Sequence, residues 1–333
     1  PPPPPPPPPP LFFITPTPAP PLLSGLVGSE MCIRDRVLGA FAWVIAAAWG
    51  WHADGWLVTQ WGVHDFGAAG LVHAVAGFFA LGVLLNLGPR LGKFNSDGTP
   101  THLRGHNMPF TVTGLMLIIV GFWGFLMACV VPPGEVWSWF ADKPATIYGT
   151  PVNLSALSFN ILMGIAGGII GAWVYTKDPF WMMSGALAGI ISVASGLDIY
   201  FPALAFIVAI VAGLLLRPAA KMLEAFGIDD AVGAVTVHGT IGVYGMVVFG
   251  VFAQGYPALF IDNAPTVSIL GQLVGAIVTS LCGFIPGYLL SLGLSGLGML
   301  RTPEAAEIAG LDTTKVPAQA FHEAIPASDQ PAE

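Results

Sequence analysis

A succession of apolar segments long enough to cross a lipid bilayer constrains this chain more than any other feature. Hydrophobic residues make up 54% of the 333 residues and charged residues only 9%, whereas a soluble domain carries about 25% charged residues. A bilayer interior supplies no water to backbone N–H and C=O groups, so segments of this length satisfy them internally as helices. We therefore predict an all-α membrane protein. The net charge of -8 gives no basic surface for nucleic acid.

Eight apolar runs mark the predicted membrane spans. They cover residues 37–51, 67–87, 109–131, 154–175, 180–195, 202–216, 234–252 and 269–292.

The loop charges support this count of eight. With loops numbered alternately, ten of the eleven Lys and Arg residues fall on one side and only Lys143 on the other. Basic loops stay in the cytoplasm, so this side is predicted to be cytoplasmic, together with the C-terminus. The ten residues are Arg34, Arg36, Arg90, Lys93, Arg104, Lys177, Arg217, Lys221, Arg301 and Lys315.

Three regions follow from composition. Residues 1–36 open with ten prolines and form a Pro-rich leader that we interpret as non-native or disordered. Residues 37–300 form the transmembrane domain, and residues 301–333 form a polar cytoplasmic tail. The three cysteines lie too far apart for a metal-binding motif, so we expect no metal and no cofactor.

Two histidines, His73 and His238, lie inside the apolar runs in matching surroundings. An Asp precedes each by eight residues (Asp65 and Asp230), a Val stands directly before it, and a Gly follows four residues later. An ionisable side chain in a membrane helix is costly and indicates a functional site. The alternative is two unrelated histidines whose polar atoms are satisfied by backbone carbonyls.

The two histidine motifs are predicted to run in opposite directions across the membrane. His73 falls in the second span and His238 in the seventh, so the charge map orients them antiparallel. This predicts an inverted five-helix repeat with one site near the membrane midplane. One repeat would lack about three and a half helices, and we expect that the chain as written does not transport.

Several ordered motifs resemble the ammonium transporter (Amt/Mep/Rh) family, its bacterial Amt branch in particular. The resemblance runs from about residue 37 to about residue 312. The motifs are Asp65-Phe66 through Val72-His73, Gly105-His106-Asn107-Met108-Pro109, Gly121-Phe-Trp-Gly-Phe125, Asp229-Asp230 through Val237-His238-Gly239, and Leu300-Arg301 through Glu307 to Gly310-Leu311-Asp312.

The family fold is eleven helices in two inverted five-helix repeats plus a final long helix, assembled as a homotrimer with one pore per subunit. The resemblance implies that this chain holds the end of helix four and helices five to eleven. It also implies transport of ammonium or ammonia in a bacterial inner membrane. Family members are often blocked by a PII-type signalling protein at the cytoplasmic face, which is a weaker expectation here because the match fades after Asp312.

The resemblance also assigns roles to individual residues. His73 and His238 match the family's twin pore histidines, and Asp65 matches an Asp below its outer ammonium site. Trp51 matches the Trp that recruits ammonium, Phe125 one of two gating phenylalanines, and Cys129 stands where a Ser is frequent. From the residues alone, Asp65 could equally cap a helix, and the aromatic residues could form an ordinary interfacial belt.

Two other functions stay open from the sequence. One is an Amt-like ammonium sensor, and the other is a membrane redox protein whose two histidines ligate a haem. Outside the motifs, we interpret His64 as a surface or interface residue and Asp198 as exposed at the outer face.

Overall fold

The computed structural model describes residues 37–103, 107–130, 145–257 and 264–309. The predictions made for the leader, for Lys143 and for the tail beyond residue 309 lie outside these ranges. Its helices are α1 (Leu38–Gly50), α2 (Trp56–Trp61), α3 (Ala69–Leu87), α4 (Met108–Ala128), α5 (Leu154–Thr176), α6 (Pro179–Ala194), α7 (Pro202–Ala225), α8 (Ala234–Phe252), α9 (Ile269–Gly296) and α10 (Glu304–Ala309).

Every predicted span coincides with an apolar helix. Among the described residues, six helices are long and apolar enough to cross a membrane, namely α3, α4, α5, α7, α8 and α9. The remaining two predicted spans correspond to the shorter apolar helices α1 and α6. The chain is a multi-pass helical membrane protein, as predicted.

The largest difference from the prediction is the length of α7. The apolar run ends at residue 216, but the helix continues to Ala225 through Pro218. In this extension Ala219, Ala220 and Leu223 remain buried. Their spacing of one to four residues keeps them on one helix face, so packing extends the helix after the hydropathy has fallen.

Side-chain caps and prolines fix the start of several helices. Asn107 accepts a hydrogen bond from the Phe110 amide, and Asn153 from the Ala156 amide. Asp178 accepts from the amides of Phe180 and Trp181. Because each cap satisfies an amide that lacks a helical partner, the spans begin at defined residues.

Glycines allow the helices to pack closely. In α5, a Cβ at Gly168 would clash with the backbone of Gly185 and Gly189 in α6. In α9, Gly283 and Gly287 lie against the backbone of α3 in the same way. Small residues at helix contacts are typical of membrane bundles, where close packing replaces the hydrophobic effect.

Candidate functional site

Asp65 caps the first turn of α3 from inside the protein. The turn is a π-helical segment, Ala69–Ala74, which contains His73. The carboxylate of Asp65 accepts hydrogen bonds from the amides of Gly70 (2.9 Å) and Leu71 (2.8 Å) and from the Ser195 hydroxyl (2.6 Å). Asp65 is 0% exposed, so these bonds replace its hydration.

Asp230 repeats this arrangement at the start of α8. The π-helical segment Ala234–Thr240 contains His238. Asp230 accepts from the amides of Val235 (3.2 Å) and Thr236 (2.8 Å), five and six residues ahead, as Asp65 does in its own motif. The capping interpretation of Asp65 is therefore confirmed, and Asp230 caps its own motif in the same way. Single π-helical turns often occur at functional sites.

The backbone conformation three residues after each Asp is also the same in the two motifs. Ala68 has φ 67° and Gly233 has φ 76°, both in the left-handed region. A non-glycine residue adopts this conformation rarely, so Ala68 is held there by its surroundings. The internal repeat predicted from sequence thus extends to backbone geometry.

The glycines that follow the histidines let α3 and α8 cross in contact. A Cβ at Gly77 would clash with the backbone nitrogen of Gly239, and one at Gly242 would clash with the carbonyl oxygen of Ala69. Each glycine thus lies against the partner helix close to a histidine. The spacing shared by the two halves of the repeat therefore sets the distance between the two imidazoles.

The two imidazoles meet at this crossing. Nδ1 of His73 lies 3.0 Å from Nδ1 of His238. Their rings are nearly parallel, with an interplanar angle of 15° and centroids 5.1 Å apart. Such a contact needs one protonated and one unprotonated nitrogen, so at least one of the two rings is neutral.

The face of His73 is covered by Phe122 of α4, whose ring lies 5.7 Å away at an angle of 26°. His73 is only 7% exposed. Its Nε2 is buried and has no hydrogen-bond partner among the described residues. Leaving such an atom unpaired costs about 1–3 kcal/mol, and an atom of this kind commonly marks a ligand or water position.

On the side of Asp65, two aromatic rings approach the start of α3. Trp51 donates from Nε1 to the carbonyl oxygen of Asp65 at 2.8 Å. Phe125 lies 6.4 Å from the Trp51 ring at an angle of 38°. Both rings pack against a buried cluster that includes Ala68 and Leu71. Trp51, Asp65 and Phe125, to which the family resemblance assigned roles, therefore lie together.

Cys129 lies at the end of α4, one helical turn beyond Phe125. Its thiol lies 3.5 Å from the Phe125 carbonyl oxygen, to which it donates. Cys129 and Phe125 pack against the same buried cluster, which contains Phe66 and Leu126. The candidate residues thus form two groups: the histidine pair, and an outer group of Trp51, Asp65, Phe125 and Cys129.

The predictions for His64 and Asp198 were wrong. Asp198 is not exposed, because its side chain is 0% accessible and both carboxylate oxygens lie 3.0–3.1 Å from Nε2 of His64. His64 is 3% exposed and stacks between Tyr148 (4.1 Å) and Phe249 (5.1 Å). A buried ion-pairing contact between distant segments leaves no local signal in a sequence.

Three further residues of the site were not selected from the sequence. Phe122 precedes Phe125 by one helical turn, and this spacing was a usable signal. Ser195 and the Tyr148 hydroxyl contact Asp65 from distant segments, the latter accepting from the Asp65 amide at 3.1 Å. No pattern along the chain points to either of them.

Ion pairs lie at the opposite end of the bundle from the outer group. Arg90, just after α3, donates from Nε (2.7 Å) and Nη2 (2.8 Å) to the carboxylate of Asp229. Burial would raise the pKa of Asp229, but the Arg90 hydrogen bonds outweigh it and hold that pKa below its usual value. The pair therefore joins the end of α3 to the start of the second histidine motif.

The first residues of the predicted tail contact the same loop. Arg301 donates to the carbonyl oxygens of Leu87 (3.1 Å) and Pro89 (2.7 Å) and to Glu307 (3.1 Å). Glu307, in α10, is 2% exposed and accepts from the Leu91 amide at 3.0 Å. The end of the described chain is thus fixed beneath α3.

The fold and the site define a multi-pass membrane protein with a paired-histidine site where two inverted helices cross. The sequence model of the Ammonium Transporter Family matches residues 29–321. The chain belongs to the ammonium transporter family, as the motifs predicted.

Two similar proteins are archaeal. Ammonium transporter Amt2 of Methanocaldococcus jannaschii is 32% identical over 266 residues, which cover 78% of this chain and 57% of that protein. Ammonium transporter Amt2 of Archaeoglobus fulgidus is 29% identical over 317 residues, covering 88% and 64% respectively. The chain thus spans about three-fifths of the length of these relatives.

Solved structures share the fold. One titled "Sensor Amt Protein" has a TM-score of 0.69 and 26% identity, and the match covers 82% of this chain and 66% of that one. Candida albicans Mep2 has a TM-score of 0.66 and 20% identity, with coverage of 83% and 60%. The second likeness concerns the fold alone.

Proposed function

We propose that the protein transports ammonium, as the ion or as ammonia, across a membrane through a path that passes the histidine pair. The observation that carries this proposal is the buried, unpaired Nε2 of His73 beside the 3.0 Å contact with His238. Family membership supports the same substrate.

The chemistry of the pair suits this substrate. A bare ion is costly in an apolar path because it loses its hydration, whereas neutral ammonia crosses more cheaply. Ammonia both donates and accepts hydrogen bonds, so it complements Nε2 of His73 in either tautomer. The contact between the two Nδ1 atoms supplies a route for a proton between the rings.

The outer group would bind the ammonium cation before that cation loses its proton or its hydration. A cation over an aromatic face gains about 0.5–2 kcal/mol, and Trp51 and Phe125 offer such faces. Asp65 supplies the negative charge from beneath. The Cys129 thiol is a weaker hydrogen-bond partner than the hydroxyl that is frequent in the family, so we expect weaker cation binding at this position than with a Ser.

The loop charges and the family resemblance also support a membrane location and a set of partners. We propose a bacterial inner membrane with the C-terminus in the cytoplasm, because the loop charges favour that orientation. A homotrimer is the assembly that the family resemblance implies, and the apolar helix α4, which is little buried within the described part of the subunit, leaves a face for lipid or for a neighbouring subunit. Regulation by a PII-type protein is an expectation from the family, and it concerns the predicted cytoplasmic face near Arg301.

Transport is preferred to the two alternatives. A haem between the histidines would need space for its macrocycle between rings whose nitrogens lie 3.0 Å apart. The sensor alternative has in its favour the likeness to the structure titled "Sensor Amt Protein". The relatives that match with 32% and 29% identity are both named transporters, which favours transport.

Uptake of radiolabelled methylammonium into proteoliposomes, with the substitutions made in the full-length parent, tests the proposal. We expect His73→Ala and His238→Ala to change the uptake rate or the selectivity against K⁺. His102→Ala is the matched control, because His102 is exposed in a loop after α3. Uptake and selectivity unchanged in both pore variants would exclude this role for the pair.

A further inference from the structure

The hydroxyl of Tyr148 joins two backbone groups on either side of the outer group. It donates to the carbonyl oxygen of Gly50 at 2.7 Å and accepts from the amide of Asp65 at 3.1 Å. Gly50 directly precedes Trp51, whose Nε1 donates to the carbonyl oxygen of Asp65 at 2.8 Å. The three hydrogen bonds therefore close a ring that holds the Trp51 indole against Asp65.

The position of Gly50 explains why this hydroxyl is needed. Gly50 is the last residue of α1, and the final carbonyl groups of a helix have no amide partner within it. Tyr148 supplies a donor to this carbonyl from a segment about 100 residues further along the chain. The end of α1, and with it the backbone of Trp51, is thus fixed by a side chain from another part of the protein.

A stack of rings fixes the orientation of the Tyr148 side chain. Tyr148 is 2% exposed, and its ring lies 4.1 Å from the imidazole of His64 at an angle of 26°. Phe249 covers the same imidazole at 5.1 Å. Nε2 of His64 lies 3.0–3.1 Å from both carboxylate oxygens of Asp198. The Tyr148 ring therefore cannot rotate without disturbing a buried, paired histidine.

The backbone of Tyr148 is held by the same buried carboxylate. Tyr148 lies in a tight turn in which the Thr146 amide donates to the carbonyl oxygen of Thr150 at 2.9 Å. The Thr146 hydroxyl donates to Oδ2 of Asp198 at 3.4 Å. Asp198 thus contacts both the turn that carries Tyr148 and the histidine that stacks on its ring. This double anchoring gives the Tyr148 hydroxyl a defined position.

We propose, on the basis of the function proposed above for the outer group, that Tyr148 is a positioning residue for cation binding there. Its hydroxyl sets the placement of the Trp51 ring relative to Asp65, and it acts on the cation through that ring. The buried contact between His64 and Asp198 has its functional reason in this role, because it holds Tyr148 in place.

Tyr148→Phe tests the proposal in methylammonium uptake, with the substitution made in the full-length parent. Phenylalanine keeps the stack on His64 and removes two of the three hydrogen bonds of the ring. A cation over an aromatic face changes binding by roughly 2- to 30-fold. We expect KM to rise within this range while Vmax stays close to the wild type. A purely structural role would give the reverse, since a smaller amount of folded protein lowers Vmax and leaves KM unchanged.

Tyr256→Phe is the matched control. Its ring also borders His64, at 6.1 Å, but its hydroxyl contacts Thr150 at 3.4 Å and no residue of the outer group. We expect its KM to equal that of the wild type. An equal rise in KM in Tyr256→Phe and Tyr148→Phe would overturn the proposal.

Trp51→Leu separates this role from the proposed function itself. KM should rise in Trp51→Leu, and the Trp51→Leu/Tyr148→Phe double variant should show no further rise, because Tyr148 acts through the Trp51 ring. An unchanged KM in Tyr148→Phe, an effect confined to Vmax, or increases that multiply in the double variant would overturn the positioning role while leaving the outer group intact. An unchanged KM in Trp51→Leu would exclude the outer group as a cation site and this role with it.

Discussion

Asp65 offers a substitution whose effects on stability and on function are expected to separate. Burial raises the pKa of Asp65, and hydrogen bonds from Ser195, Leu71 and Gly70 only partly oppose this increase. The charged carboxylate therefore costs the folded state free energy. Asp65→Asn removes the charge and keeps the shape, and Ser195 can rotate its hydroxyl to accept from the new amide.

The expected change in the free energy of unfolding differs between Asp65→Asn and Asp65→Ala. Asp65→Asn should leave the free energy of unfolding within about 1 kcal/mol of the wild type, because every hydrogen bond has a replacement. Asp65→Ala leaves the amides of Gly70 and Leu71 without their acceptor, at about 1–3 kcal/mol each. We expect roughly 2–4 kcal/mol of destabilisation, since such losses do not add fully.

Function should respond to the loss of the carboxylate charge even in the variant that keeps its stability. A charge roughly 7 Å from a cation, at an effective dielectric constant near 20, contributes about 2 kcal/mol. Asp65→Asn should therefore weaken cation binding by roughly 30-fold while the protein stays folded. Asp230→Asn is the control, because it changes the matching cap at the other end of the bundle.

Denaturant titrations in detergent between pH 3 and pH 8, combined with methylammonium uptake, test both statements. A raised pKa favours the protonated form in the folded state. The stabilisation that protonated Asp65 gives is complete below the pKa of the unfolded chain and is lost as the pH rises through the folded pKa. Asp65→Asn should not show this loss. An Asp65→Asn variant as unstable as Asp65→Ala, or one that kept normal uptake, would contradict these expectations.

Two further predictions concern packing and an ion pair. Gly77→Val should destabilise the protein by about 1–3 kcal/mol, because its side chain meets the Gly239 backbone. In the same unfolding titration Gly114→Ala, which has open space around it, should have no such effect, and equal costs would contradict the crossing geometry. The pKa of Asp229 is lower in the folded protein than in the unfolded chain. The stabilisation that this gives is present above the unfolded pKa and is lost as the pH falls through the folded pKa. Arg90→Gln should reduce this dependence, and an unchanged pH profile would exclude the pair as its source.

Local patterns predicted the helices and the repeat because both depend on short segments. Hydropathy located eight apolar helices of the described chain, six of them long enough to cross a membrane, and the matched frames of His73 and His238 predicted their meeting. The Gly four residues after each His marked the crossing, although its steric reason appears only with the partner backbone in place. The extension of α7 was missed because its buried face is too narrow to raise the mean hydropathy.

Contacts between distant segments were not predictable in this way. Ser195 reaches Asp65 from 130 residues away and Asp198 reaches His64 from 134 residues away. Nothing in the residues around Asp198 distinguishes a buried carboxylate from one in a solvated loop. The surroundings of His64 and Asp198 therefore held the largest surprises, while the two histidine motifs meet as their matched frames predicted.

The central claim is that His73 and His238 act as one site, and a double-mutant cycle on methylammonium uptake tests it most directly. Residues that act as a unit lose nearly the same activity singly and together. With the substitutions made in the full-length parent, we expect the His73→Ala/His238→Ala double variant to transport about as slowly as the slower single variant. Losses that multiply would contradict a shared site and would indicate two independent histidines.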